Sequence, residues 1–508
     1  MGVNKEIGFA ELLAYWGKEK PACEAVYDGF RRMSYQELYT ETQQLAAAMM
    51  KSDIQKGDRV FALLPNWHEF VVLFFATATI GAILVPCNSL MVEEDYRERL
   101  ERCKPKAVFV SSQKSVGFLQ NYRDNCLIIT VRFKEPDCLS YQDLLDVGLN
   151  QELMQVELNP KSDTFIIIFT SGSTGIPKGV ELTPNNLYYI TTQIGQRLQS
   201  TGDDVFLVPM PCTHLFGIVT GILVPICVGG KIVLMEKHDA RQALRLIEQE
   251  KVTVHHGVPT MFIRELQEYK DTQYDIGSLR TGIVAGASCS IVQQITNEFK
   301  CDIMVAYGSS ETVGISMTSF SDSINSRCGT VGKPYEGVDI MVVDAHGQAV
   351  NPGEVGELVC KSQGVMKGYF NMPNQTKAVF DNNGWFYTGD LVTVNEEGYI
   401  KIVGRTKEMI NRGGYKVYPE EVEHLYHNNP EVLDICVLGF PHAILGEQTI
   451  AFIQLVPHSL ETEESLRNYA IGKIAKYKIP DKIILKQELP KLESGKTNKK
   501  SLFRTVLM

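Results

Sequence analysis

"TFIIIFTSGSTGIPKGV" (residues 164–180) sets a β-branched apolar run directly before a loop of hydroxyls, three glycines and a lysine. The run reads as a buried strand, and the glycine-rich turn after it is suited to gripping an anion through converging backbone N–H groups. It is not a P-loop, which needs Gly, four residues, then Gly-Lys-Ser/Thr. Counting from Gly172, Pro177 falls where the second Gly belongs, and Lys178 is followed by Gly179. Nor is it a hydrolase elbow, because Ser171 stands two places before Ser173 where that motif has Gly. Further strands are expected at 58–65, 106–112, 204–210, 230–235, 279–286 and 302–308, and amphipathic helices between them at "EEDYRERLERC" and "ARQALRLIEQEK". Such alternation predicts an α/β fold with mostly parallel sheets covered by helices.

After Gly308 the texture changes to short strands with Gly and Pro turns, which predicts a small β-rich module over about 315–404. "GRTKEMINRGGYKVYP" is dense in Gly and charge, as a domain joint would be, so the chain divides into 1–404 and a small α+β domain over 405–508. The 508 residues, 44% hydrophobic, have room for roughly two to four domains. A net charge of −10 argues against nucleic acid as a partner. Twelve scattered cysteines without a C-x-x-C pair give neither a disulfide framework nor a zinc site. The N-terminus has no signal-peptide pattern, so a cytoplasmic location is expected. "FVVLFFATATIGAILV" (70–85) falls just short of the roughly 17–25 residues that span a bilayer, and it reads as a buried helix running into a strand.

Several motifs carry polar chemistry. "AYGSSET" (306–312) places Tyr307, Gly308, Ser309, Ser310 and Glu311 at the end of an expected parallel strand, where ligands of open α/β sheets bind. Glu311 is a candidate Mg²⁺ ligand beside phosphates. "GWFYTGDL" (384–391) offers Asp390, with Arg405 fifteen residues later; an Asp can hold ribose hydroxyls. Lys496 follows a Ser-Gly turn, and His214 sits between a strand end and an apolar segment.

Taken in order, 170–180, "YGSSE" (307–311), "YTGD" (387–390), "GRTKE" (404–408) and "SGK" (494–496) resemble the adenylate-forming superfamily of acyl-CoA synthetases, adenylation domains and beetle luciferases. The resemblance covers roughly residues 25–505. It implies that Thr170, Ser171, Gly172, Ser173, Thr174, Gly175 and Lys178 wrap the β- and γ-phosphates of ATP. Tyr307 would stack on adenine, with Gly286, Gly308, Ser309 and Ser310 around the nucleotide, and Asp390 and Arg405 would hold the ribose. Glu311 would sit by Mg²⁺, and Lys496 would reach the α-phosphate and acyl carboxylate. Lys407 falls on the family's hinge, and Gly414 on the wall of its pantetheine tunnel. His214, Phe216, Thr220, Val313 and Gly314 would line the acyl pocket, with His214 at its mouth.

The catalytic set is then Lys496, His214, Glu311 and Lys178, with ATP, Mg²⁺ and coenzyme A as cofactors. The pocket segments 214–221, 284–289 and 310–315 hold no charged group besides His214 and Glu311, which favours a neutral fatty or aryl acid. Carrier-loading fatty acyl-AMP ligases, which the chain also resembles, carry an extra insertion in the β-rich part; the compact 329–359 stretch lacks it, so the resemblance implies CoA as acceptor over a phosphopantetheinyl carrier protein. A monomer or homodimer is expected, with peripheral membrane contact open.

Overall fold

The computed structural model describes residues 8–88, 93–149, 151–170, 177–287, 289–413, 415–442, 444–491 and 497–507. Two large sheets form the body. One has eight strands, with Ile166–Thr170, Ile83–Pro86, Arg59–Leu63, Ala107–Val110, Leu127–Thr130 and Leu139–Ser140 running parallel in that spatial order. Lys178–Leu182 and Gly368–Tyr369 extend it antiparallel at the opposite edge. The other has nine strands. Its parallel centre is Asp302–Tyr307, Thr281–Ala285, Val254–His255, Val205–Val208, Lys231–Leu234 and Glu24–Tyr27, so strand order and chain order differ. Ser316–Met317 and Lys333–Pro334 add an antiparallel edge to this sheet.

The main core joins the two sheets and the buried faces of the helices packed on them. Helix His68–Ile80 is the apolar segment noted above; nearly all its side chains are buried, and Gly81 ends it in a left-handed conformation at φ +71. No helix among the described residues is long and apolar enough to cross a membrane. Helix Tyr35–Lys51 starts at a capping box in which Ser34 and Glu37 bond each other's backbone N–H, and it packs Leu38, Leu45 and Met49 inward.

A four-stranded antiparallel sheet follows, Asp339–Val343, Gly356–Lys361, Phe386–Val394 and Ile400–Arg405. Arg405 ends its last strand, and Ile410 opens the five-stranded sheet of the C-terminal region. There Val432–His442 and Gly446–Leu455 pair antiparallel, and Lys482–Lys486 joins parallel to the second of them. The helical pattern "EESLRNYAIGKIAKY" yields only helix Glu463–Ala470, because the chain turns at Gly472 with φ +77.

Candidate active site

The carboxyl ends of Val205–Val208, Val254–His255, Thr281–Ala285 and Asp302–Tyr307 lie side by side in the nine-stranded sheet. Among the described residues, most of those singled out follow these strand ends. Such strand ends are where open α/β sheets bind ligands.

Three groups form. In the first, Asp390 and Arg405 face each other directly across an antiparallel pair, and Arg405 Nε forms an ion pair with Asp390 Oδ1 at 2.9 Å. From the end of the other sheet, the Tyr307 hydroxyl donates to Asp390 Oδ2 at 2.5 Å. Burial and then the Asp390 charge push the Tyr307 phenol far above its ordinary value, so it stays a donor at any working pH. The Asp390 side chain is almost enclosed, whereas half of the Arg405 side chain stays exposed. This group therefore presents a buried anion with one open, cationic side.

The second group is built on Tyr369, which the sequence motifs did not single out. Strand Gly368–Tyr369 pairs with Lys178–Leu182, setting Tyr369 opposite Val180. The Lys178 ammonium lies 4.5 Å from the Tyr369 ring centroid, and the Tyr369 hydroxyl donates to Glu311 Oε1 at 3.0 Å. One aromatic side chain thus links the candidate phosphate lysine to the candidate metal carboxylate. Nothing in "KGYFNMP" marks Tyr369 by spacing; only the edge pairing brings it in. If Lys178 and Glu311 serve the phosphates, Tyr369→Phe is expected to lower kcat/KM for ATP about 3- to 10-fold, through one lost hydrogen bond. Tyr369→Leu, which also removes the ring beneath Lys178, is expected to lower it further, and pyrophosphate release measures both.

In the third group the chain from His214 into helix Leu215–Ile218 lies tight on the sheet. A Cβ at Gly221 would approach Val208 Cγ1 to 2.4 Å, so only glycine allows this packing. His214 caps the helix, its Nδ1 accepting from the Phe216 N–H at 3.2 Å. The Thr220 hydroxyl donates to the Phe216 carbonyl at 2.7 Å, within a π-turn over Val219–Leu223. Pro225 follows that turn and lacks the N–H a regular helix would use.

The 308–314 loop closes between these groups. Thr312 Oγ1 accepts from the Ser309 N–H at 3.0 Å, and a Cβ on Gly308 would meet Gly314 Cα at 2.7 Å. Val313 is held at φ +57, a strained choice for a β-branched residue, next to Ser310 and Glu311. Gly286 leaves strand Thr281–Ala285 in the left-handed region at φ +69. Thr170 ends strand Ile166–Thr170, and Lys407 lies between Arg405 and strand Ile410–Arg412. Ser171, Gly172, Ser173, Thr174, Gly175, Gly414 and Lys496 lie outside the described residues.

Away from these groups, Asp28, His68 and Glu69 come close enough to hold a metal ion, but Arg132 already supplies the positive charge. Its Nε and Nη2 each donate to Glu69 at 2.8 Å, and Nη2 also donates to Asp28 Oδ2. Asp28 and Glu69 are the acidic half of an ion-pair network in which His68 and Arg132 are the partners.

Residues 13–370 match the AMP-binding enzyme family and residues 421–496 its C-terminal domain, and the chain belongs to this family. It is 31% identical over 518 residues to the medium-chain fatty-acid–CoA ligase of Escherichia coli (strain K12), covering 98% of this chain and 91% of that one. It is also 31% identical over 505 residues to the mitochondrial medium-chain acyl-CoA ligase ACSF2 of Homo sapiens, covering 92% and 82%. Among solved structures it resembles the anthranilate CoA ligase AuaEII in complex with anthranoyl-AMP, with a TM-score of 0.90, 25% identity and coverage of 98% and 97%. ATP-bound MatB from Rhodopseudomonas palustris superposes with a TM-score of 0.88 at 27% identity, covering 98% and 99%.

Proposed function

We propose that this protein is an AMP-forming acid–CoA ligase for a neutral fatty or aryl carboxylic acid. The observation that carries the reading is the meeting of Tyr307, Asp390 and Arg405 at the sheet's carboxyl edge, brought from positions 83 and 15 residues apart. Names of relatives lend support on both acid classes: one is a medium-chain fatty-acid–CoA ligase, another an anthranilate CoA ligase.

A carboxylate is a poor electrophile, and a thiol does not displace its oxygen at neutral pH. Attack of the carboxylate oxygen on the α-phosphorus of ATP forms acyl-AMP and breaks the bond to pyrophosphate. In this reading Asp390 accepts from the ribose hydroxyls beside the exposed Arg405, while Tyr307 and Arg405 hold that carboxylate in place. Lys178 and the loop 170–175 hold the departing β- and γ-phosphates, and Lys496 meets the charge that builds on the attacking side. Glu311 fits a Mg²⁺ ion, which takes one or two carboxylates plus phosphate oxygens, and its partner Tyr369 fixes the carboxylate's orientation. Bound there, the ion would neutralise charge on the phosphate oxygens. In the second step the thiol of coenzyme A attacks the acyl carbon and AMP leaves. Rotation of the C-terminal domain about Lys407 would withdraw Lys496 and bring Gly414 to the pantetheine path.

The expected result is ATP–pyrophosphate exchange that depends on an added acid, with AMP and pyrophosphate as products. ADP as product would overturn the reading. Offering CoA and a phosphopantetheinylated carrier protein side by side identifies the acceptor, with faster thioester formation expected on CoA.

A further inference from the structure

Strand Val254–His255 runs into a second histidine, so "VHHG" (254–257) carries two imidazoles in succession. Successive residues along a strand face opposite sides of the sheet. His255 turns toward helix Pro259–Asp271, where its Nε2 meets Glu265 Oε2 at 2.9 Å; His238 Nε2 meets the same carboxylate at 2.8 Å. Burial pushes the Glu265 carboxyl up, but the two histidines more than offset this and hold it below its ordinary value.

His256 packs with Phe206 and Phe216, both ring centroids at 6.3 Å, on the side of the sheet that carries segment 214–221. Its side chain is 2% exposed. The backbone N–H of Ile283 donates to its Nδ1 at 3.0 Å, tying the ring to the strand that leads into segment 284–289. His256 therefore touches one of the three segments expected to wall the acyl pocket, at Phe216, and is tied at Ile283 to the residue just before a second.

The hydrogen bond at Nδ1 decides the tautomer. A ring nitrogen that accepts carries no proton, so in the neutral imidazole the proton sits on Nε2. Burial, and then the neighbouring His255, push the His256 pKa down to about 3, so the ring is neutral throughout the working range. Nε2–H is thus a fixed donor, and among the described residues it has no hydrogen-bond partner. A phenylalanine or leucine would fill such a place without the cost of an unmatched buried donor. The ring's neighbours Phe206 and Phe216 offer it no acceptor, and a neutral donor suits a neutral oxygen better than a second carboxylate, which would call for a full positive charge.

We propose that His256 is a specificity-determining residue whose Nε2–H donates to an acceptor oxygen on the acyl group, so that the preferred acid carries a keto, hydroxyl or ether oxygen. The inference rests on the ligase reading above and narrows its substrate class from a plain hydrocarbon acid to an oxygen-bearing one.

Matched acids test it: octanoate against chain-length-matched oxo and ether analogues with the oxygen at successive positions, and benzoate against its methoxy and hydroxy isomers. Acid-dependent pyrophosphate release gives kcat/KM for each. The wild-type protein is expected to prefer one oxygenated acid over its plain partner by about 10- to 100-fold, the discrimination available to one buried hydrogen bond. His256→Phe should bring that ratio near one by slowing the oxygenated acid alone, and His256→Gln, which keeps a donor, should retain part of it. A wild-type ratio near one for every pair overturns the proposal, as does an unchanged ratio in a His256→Phe protein that melts like the wild type. Should His256→Phe not fold, the wild-type panel and His256→Gln decide by the same ratios. Pyrophosphate release from no acid at all would sink the ligase reading itself, whereas release from plain acids without preference sinks only the role of His256.

Discussion

Lys496→Ala is expected to slow acyl-adenylate formation by on the order of 10²–10³, the usual scale for losing one preorganised donor to developing charge. Thiolysis of a supplied acyl-adenylate should stay within a few-fold of wild type. The asymmetry follows from the division of labour proposed for the site. On the leaving side, Lys178 acts with the glycine-rich loop and Glu311, so charge there is shared among several groups. On the attacking side the reading assigns one lysine, carried by the C-terminal domain, which is withdrawn before the thiol enters. Single-turnover pyrophosphate release reports the first half-reaction, and thioester formation from synthetic acyl-AMP reports the second. Equal loss in both would refute the assignment.

The largest effect on stability is expected far from the nucleotide, at Asp28. Its side chain is enclosed and accepts from the backbone N–H of Phe30 at 2.9 Å, of Arg31 at 2.8 Å and of His68 at 3.1 Å. His68 Nδ1 at 2.8 Å and Arg132 Nη2 complete its shell. Arg132 also covers the Trp67 ring at 4.1 Å and the exposed Phe30 ring at 4.7 Å. Removing the carboxylate strands the donors around it, and Asp28→Ala is expected to lose about 3–5 kcal/mol, the scale for breaking one side of a buried pair. Urea titration checks this.

The pH dependence has a definite sign. Burial pushes the Asp28 carboxyl up, but hydrogen bonds from His68 and Arg31 more than offset it, leaving it well below the ordinary 3.8. A carboxyl depressed on folding stabilises above its unfolded pKa and loses that contribution as pH falls toward the folded value. The gap in stability between wild type and Asp28→Ala should therefore be flat from pH 7 to about 5 and shrink below about pH 4. A gap that persists unchanged at pH 3 would mean the carboxylate's charge contributes nothing.

Much of the body was legible because its strands are short β-branched runs with turns on both sides. Ile166–Thr170, Ala107–Val110 and Asp302–Tyr307 all fall within their expected segments. Two-residue strands were not legible: Val254–His255 and Gly368–Tyr369 have no period to read, and each exists because a neighbouring strand supplies its partners. That is why the chemistry hanging on them, His256 and Tyr369, escaped. Tyr307, Asp390 and Arg405 were visible as motif residues, but the bond from Tyr307 to Asp390 joins two different sheets and no spacing predicts it.

Strand Glu24–Tyr27 sits between Lys231–Leu234 and Arg32–Ser34 in the nine-stranded sheet. On a ribosome it must wait for roughly two hundred further residues before its parallel partner exists, some 10–40 s at 5–20 residues per second. The hairpin at 24–34 has only its own short pairing through that interval. The edge segment of the sheet is thus made long before the parallel strand it pairs with, and the nascent chain carries an open apolar edge for the whole of that time.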